Sequence, residues 1–297
     1  MPQIRTARWK ALLALSLLPA LTGCVTTRSV MKTHPPAQVL SSTLDAITKS
    51  TTDRYNSINS FTASVDVVAS AGGGKNGTVT QYPAFTAIIL LRKPEDLHFV
   101  LFAPVVHVKA LDMVTDGKTF TVIIPSKSKV ITGSNNLETP SSNPLENLRP
   151  AVFTDSMLIR SPRPDELVSL TSDERIYQPD PTKKIVVDEP EYDLGVYRTV
   201  PGSTELKTQR VIHIGRSSLL PYQQDIYDEK GQLVTVANYD DYKLFGETTF
   251  PGKITTRRPQ DQLSLVLTVT KLAVNQKLDD DQFQNSYPST YTVQKLP

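Results

Sequence analysis

A single cysteine, Cys24, stands in the 297 residues, so the chain cannot close an internal disulfide. A domain of this size must then be held by packing alone. The four histidines, at 34, 98, 107 and 213, are scattered, and no cysteine or carboxylate spacing completes a metal site around them. Neither a metal nor a cofactor is expected. A charge excess is missing too: 32 Lys and Arg face 30 Asp and Glu. A chain so balanced lacks the basic face that nucleic acid requires, and no nucleic acid partner is expected. Long apolar runs are absent beyond the N-terminal region. The longest, Ala87 to Leu91 and Phe99 to Ala103, fall far short of the roughly 20 residues that span a bilayer. Catalytic signatures are lacking as well. There is no Gly-x-Ser-x-Gly elbow, the glycines from Gly72 to Gly77 lack the Lys-Ser or Lys-Thr ending of a phosphate loop, and Asp279-Asp280-Asp281 lacks the glycine and distal glutamate of a calcium loop. The chain is not expected to be an enzyme.

What is present begins at the N-terminus. Arg5, Arg8 and Lys10 precede an apolar stretch from Ala11 to Leu21 that is too short to cross a membrane, the pattern of a leader to be removed. It ends in Leu21-Thr22-Gly23-Cys24. Thr22 and Gly23 are small enough for a peptidase to approach the backbone, and the Cys24 thiol is nucleophilic enough to take a thioether-linked diacylglycerol. The pattern resembles the lipobox of bacterial lipoproteins, which implies cleavage before Cys24, palmitate-like acylation and membrane attachment through that residue. One acyl chain, at about 0.8 kcal/mol per buried methylene, anchors only marginally, whereas two or three hold the protein almost permanently. Val25 occupies the place where an aspartate marks inner-membrane retention in enteric lipoproteins. The resemblance therefore implies the outer membrane, with the domain facing the periplasm.

Three regions are expected: a leader at 1–23, an acylated cysteine with a flexible tether at 24–37, and one β-rich domain at 38–297 with an insertion near 135–200. Leu40, Leu44, Ile47, Tyr55 and Ile58 recur at helical spacing and predict one amphipathic helix over 38–57. Phe61, Ala63, Val65, Val67 and Ala69 then alternate with polar neighbours, as in a strand with one buried face. A glycine-rich hairpin loop leads to a strand over 78–91, and further strands are read at 96–102, 106–115, 119–125 and 129–132. Short helices at 144–148 and 153–159 suggest a cover over the sheet. A second β-rich run follows, with strands at 185–187, 195–199, 208–214, 222–227, 233–239, 252–256 and 263–274. Seven tyrosines from Tyr177 to Tyr242 read as strand residues lining the sheet.

The order Pro94, Leu97, Phe99, Leu101, Pro104-Val105, Asp116-Gly117, Phe120, Pro125 and Gly133 resembles the outer-membrane lipoprotein receptor LolB. Leu220-Pro221, Asp228 to Gly231, Asp241-Tyr242, Phe250-Pro251 and Leu278 to Phe283 are similar to the closing strands of the wider LolA/LolB superfamily. The resemblance implies a mainly β, α+β fold: a strongly curved antiparallel sheet forming an incomplete barrel covered by helices. It also implies an apolar cavity for lipoprotein or lipid acyl chains, with Phe61, Val65, Phe85, Ile89, Leu91, Phe99, Leu101, Phe120 and Val122 as candidate lining. Val105 falls where the receptor family carries an exposed leucine for membrane delivery. The function implied is acceptance or carriage of acylated cargo. The alternative is an envelope-stress sensor or scaffold lipoprotein whose similar half-barrel binds a protein partner of the envelope.

Overall fold

The computed structural model describes residues 32–72, 77, 79–135, 150–180 and 182–296. The lipobox Leu21 to Cys24, the glycine loop at 73–76 and the helix expected at 144–148 lie outside them. The described strands are β1 (Lys32–His34), β2 (Ser60–Gly72), β3 (Val79–Gln81), β4 (Phe85–Arg92), β5 (Asp96–Phe102), β6 (Lys109–Thr115), β7 (Thr119–Ile124) and β8 (Lys129–Ser134), then β9 (Glu166–Tyr177), β10 (Ile185–Thr199), β11 (Leu206–Gly215), β12 (Leu220–Tyr227), β13 (Leu233–Phe245), β14 (Thr248–Arg258), β15 (Leu263–Val274) and β16 (Thr292–Lys295). Helices α1 (Leu44–Asn56) and α2 (Pro150–Met157) accompany them.

The strands form one curved, unclosed sheet in the order β1-β10-β11-β12-β13-β14-β15-β2-β4-β5-β6-β7-β8-β16, with β9 on β10 and β3 on β2. Every pairing is antiparallel except β1 with β10 and β16 with β8. Strand β2 is the seam: Val67 pairs with Leu267 of β15 on one side and with Phe85 of β4 on the other. Alternation decides which face is covered. Phe61, Ala63, Val65 and Val67 of β2 and Leu263, Leu265, Leu267 and Val269 of β15 are buried on one face, while Thr62, Ser64 and Asp66 point the other way. Each fully buried large side chain of that row contributes roughly 1.5–3 kcal/mol.

Both helices pack on this apolar face. Ile47 of α1 joins Tyr192, Leu194, Ile212 and Ile214 of β10 and β11, while Phe153 and Met157 of α2 join the larger cluster over β2 to β7 and β13 to β15. Helix α1 begins at Leu44, later than the periodicity predicts. Thr43 caps it by accepting from the Ala46 amide, and the preceding backbone is spent elsewhere, the Leu40 amide donating to the Arg216 carbonyl. Other expectations are revised in the same way. The strand read at 78–91 is two pieces split around Tyr82-Pro83-Ala84, where proline offers no amide to a ladder. The strand read from 106 starts at Lys109, because Ala103 to Val108 forms a loop closed by the Ala103 amide on the Val108 carbonyl. Lys32 to His34, read as tether, lie in the sheet against Ile185 to Val187. In the region read as an insertion, α2 is a cover, but β9 and β10 extend the sheet itself.

The C-terminal segment crosses the opposite, outer face. Arg92 of β4 pairs with Asp96 and Asp280, each at 2.8 Å, and its guanidinium lies 4.6 Å from the Phe283 ring. His98 of β5 stands between the Gln282 carbonyl, 2.5 Å from Nδ1, and Asp112 Oδ1, 2.9 Å from Nε2. Beyond this clasp, β16 adds to β8 and Leu296 enters the main core.

Candidate functional site

Seven of the nine expected cavity residues are buried on the concave face: Phe61, Val65, Ile89, Leu91, Phe99, Phe120 and Val122. Phe85 and Leu101 are partly buried and pack against the same cluster. Adjacent strands place them side by side, Phe61 opposite Leu91, Ile89 opposite Phe99, and Ala87 opposite Leu101. The space above them is filled. Pro150 occupies the first position of α2, where a missing amide is tolerated, and the helix lowers Phe153 and Met157 into the cluster, with Leu158 just beyond its end.

To one side lies a cleft of about 290 Å³ between the C-terminal half of α1, the end of α2 and the β13–β14 hairpin. That is near the lower end of ligand-pocket sizes, about 300–1,000 Å³. Ile58, Met157, Leu158, Phe250 and Tyr239 supply its walls, and Arg54, Glu247, Thr248 and Thr249 line it as well. None of the nine residues expected from sequence lines this cleft. Its own residues carry weak sequence signals: Phe250 was legible as a motif position and Tyr239 as one of seven tyrosines, but their meeting depends on where α2 settles.

Buried polar groups occur at Tyr239 in the cleft, within α2 and on β12. The Tyr239 hydroxyl, Ser156 Oγ and Gln224 Oε1 are buried without a hydrogen-bond partner among the described residues, while Gln224 Nε2 donates to the Asp155 carbonyl at 3.0 Å. Burial pushes the Tyr239 hydroxyl well above the usual phenol range. Arg160 joins Asp155 and Glu95, each at 3.0 Å, and Arg210 reaches Glu166 at 3.3 Å and the Ser161 carbonyl at 3.2 Å. These contacts tie the segment after α2 to the turn between β4 and β5 and to β11.

The loop holding Val105 is the most exposed apolar feature described. Val105 is 93% exposed, and Val106 and Val108 stand beside it at 65% and 57%. Val105 and His107 both adopt positive φ, 71° and 48°. His98 lies opposite Val114 of β6, so the two histidines are not paired across the hairpin as their spacing allowed.

A second polar group on the outer face escaped the sequence reading. His213 Nδ1 lies 2.7 Å from Asp193 Oδ1 and 3.8 Å from Glu191 Oε1, and Nε2 faces Asp225 at 3.5 Å. Burial alone would push the imidazole down, but the hydrogen bonds and charges of Asp193 and Asp225 outweigh it and hold His213 up at about 10. The Tyr222 hydroxyl donates to Glu191, and Arg175 stacks on Tyr222 while pairing with the fully buried Glu189. Ligand atoms of Glu191, Asp193 and His213 lie within 4.8 Å of one another, a spacing that could hold a cation, but the proton held by His213 already neutralises part of the cluster. It reads as a charge clamp across β10 to β12.

An unclosed, curved sheet with helices packed into its concave face defines a half-barrel class of protein. Solved structures of that class align with the chain. A LolA superfamily protein from Nitrosomonas europaea is 17% identical, with 80% of this chain and 97% of that one covered and a TM-score of 0.50. A DUF1329 family protein from Desulfovibrio piger gives 17% identity, coverage of 80% and 94%, and the same TM-score. The chain has the LolA/LolB-like fold. A family model described only as an uncharacterized protein matches residues 196–288, and no curated protein matches the sequence.

Proposed function

We propose that the chain is a lipid-anchored protein of the outer membrane, facing the periplasm, that accepts or carries lipoproteins or lipid acyl chains on the concave face of its half-barrel. The observation that carries this reading is a large apolar inner face that, among the described residues, is covered by two short helices and not by a second sheet. Cargo would replace the contacts of Phe153, Met157 and Leu158, exchanging one set of apolar contacts for another. A chain of about 16 carbons buries methylenes that contribute on the order of 12 kcal/mol, so direction follows from which site fits the chain better. No bond is made or broken. Cys24 would fix the protein to the membrane, and Val105, with Val106 and Val108, would touch the bilayer where cargo is delivered. The second reading, a sensor or scaffold that binds an envelope protein, draws on β9, which among the described residues pairs only with β10 and which exposes Leu167 and Ile176.

Mass spectrometry of the natively extracted protein separates the two. Copurifying acyl species, lost when Ile89 or Leu267 is replaced by a charged residue that still folds, support the carrier. A stoichiometric protein partner with an interior that takes up no acyl probe supports the scaffold.

A further inference from the structure

We propose that the cleft between α1, α2 and the β13–β14 hairpin seats the polar end of a zwitterionic glycerolipid, with Tyr239 at its buried end and Arg54 and Glu247 at its rim. This deepens the carrier reading and rests on it. Tyr239 is only 3% exposed, lines the cleft, and has no partner for its hydroxyl among the described residues. An unpaired buried hydroxyl is costly, and a ligand carbonyl would relieve it. The contrast with Tyr242 is direct: in the same cleft its hydroxyl already donates to the Pro221 carbonyl at 2.8 Å. Ile58, Met157, Leu158 and Phe250 make the neighbouring wall apolar, which suits the first carbons of a chain esterified next to that carbonyl.

The rim selects the head. Arg54 has no ion-pair partner among the described residues, because the adjacent Asp53 is taken by Lys49 at 2.5 Å. Glu247 is likewise exposed and without a cation. One guanidinium and one carboxylate on one rim complement a head with one charge of each sign, a phosphate and a primary amine. A purely anionic head would meet Glu247 unfavourably, and an uncharged one would use neither group.

The test is displacement of a fluorescent acyl reporter from the full chain carrying Cys24→Ser, which removes the protein's own acyl group. Lysophosphatidylethanolamine, lysophosphatidylglycerol and monoacylglycerol with the same chain are the competitors. The first is expected to bind about tenfold more tightly than the others, the effect of one charge-assisted hydrogen bond. Arg54→Gln should weaken both phospholipids. Glu247→Gln should weaken the ethanolamine lipid while strengthening the glycerol one, and Tyr239→Phe should weaken all three without loss of folding. Equal affinities for the three lipids, or indifference to all three substitutions, overturns the head-group assignment and leaves the carrier standing. Failure of the reporter itself to bind removes both.

Discussion

The rings of Phe99 on β5 and Phe153 on α2 lie 4.8 Å apart between centroids, inclined by 35°. Such a tilted pair adds about 0.5–1.5 kcal/mol to the area it buries. On the proposed carrier reading it holds a helix side chain where an acyl chain would lie, so that α2 would compete with cargo for the inner face. Phe153→Ala should destabilise the fold by about 3–5 kcal/mol and yet tighten binding of an acyl reporter. Thermal denaturation and reporter titration on the same variant check this. Binding that weakens together with stability would mean that α2 builds the site instead of blocking it.

Acid should loosen the C-terminal clasp. Burial pushes the Asp112 carboxyl up, but hydrogen bonds from His98 and Lys109 outweigh it and hold the group at about 2, below its ordinary 3.8. A folded-state pKa below the unfolded one contributes stability that is present above about pH 4 and lost as pH falls toward about 2. The depression corresponds to about 2 kcal/mol at neutral pH. Urea denaturation at pH 7 and pH 3 should show about half of that difference in the native chain, roughly 1 kcal/mol, since pH 3 lies midway between the folded and unfolded values. In Asp112→Asn the acid-sensitive part should vanish, and hydrogen exchange at Asn285 and Gln282 should quicken.

The His213 clamp runs in the opposite sense. Its folded-state pKa, about 10, stands above the ordinary 6.5, so its contribution is complete below about pH 6.5 and is lost as pH rises toward 10. Nuclear magnetic resonance of the imidazole should place the midpoint near 10. Asp193→Asn removes the 2.7 Å partner of Nδ1 and should lower that midpoint by more than one unit. An unshifted midpoint would assign the effect to Asp225 alone.

Where one face of a strand is apolar and its ends carry turn residues, the sequence sufficed. Strand β15 runs from Leu263 to Val274 as the alternation predicts, and β5 spans Asp96 to Phe102. It failed where strands are paired by charge. Arg175 of β9 lies opposite Glu189 of β10, and the acidic Asp173 lies opposite Glu191, so neither strand shows a clean apolar period: β9 is not read as a strand, and β10 is read only as two short ones, 185–187 and 195–199. Asp193, His213 and Asp225 meet only because three strands lie side by side, with spacings set by hairpin lengths that carry no chemical signature. The inner face was legible residue by residue. The cleft was not, since it is the space left over once α2 has settled.

Val105 joins two properties that a merely structural residue would not keep together. It is a β-branched residue at φ 71°, and it leaves 93% of its surface in solvent. The left-handed backbone costs a non-glycine residue roughly 1–2 kcal/mol, and the exposed side chain recovers none of it in the free protein. Val105→Gly relieves that strain, while glycine's greater freedom in the unfolded chain takes back roughly 0.5–1 kcal/mol, so stability should hold or rise slightly. Vesicle association should nevertheless fall, because the tip loses its apolar group. Val105→Asp should lose association as well, without the gain in stability. Cosedimentation with anionic vesicles, using the full chain carrying Cys24→Ser, measures the first quantity and urea denaturation the second. Wild-type association in both variants would show that the loop does not meet the bilayer, and the strain at Val105 would then need a cause within the fold.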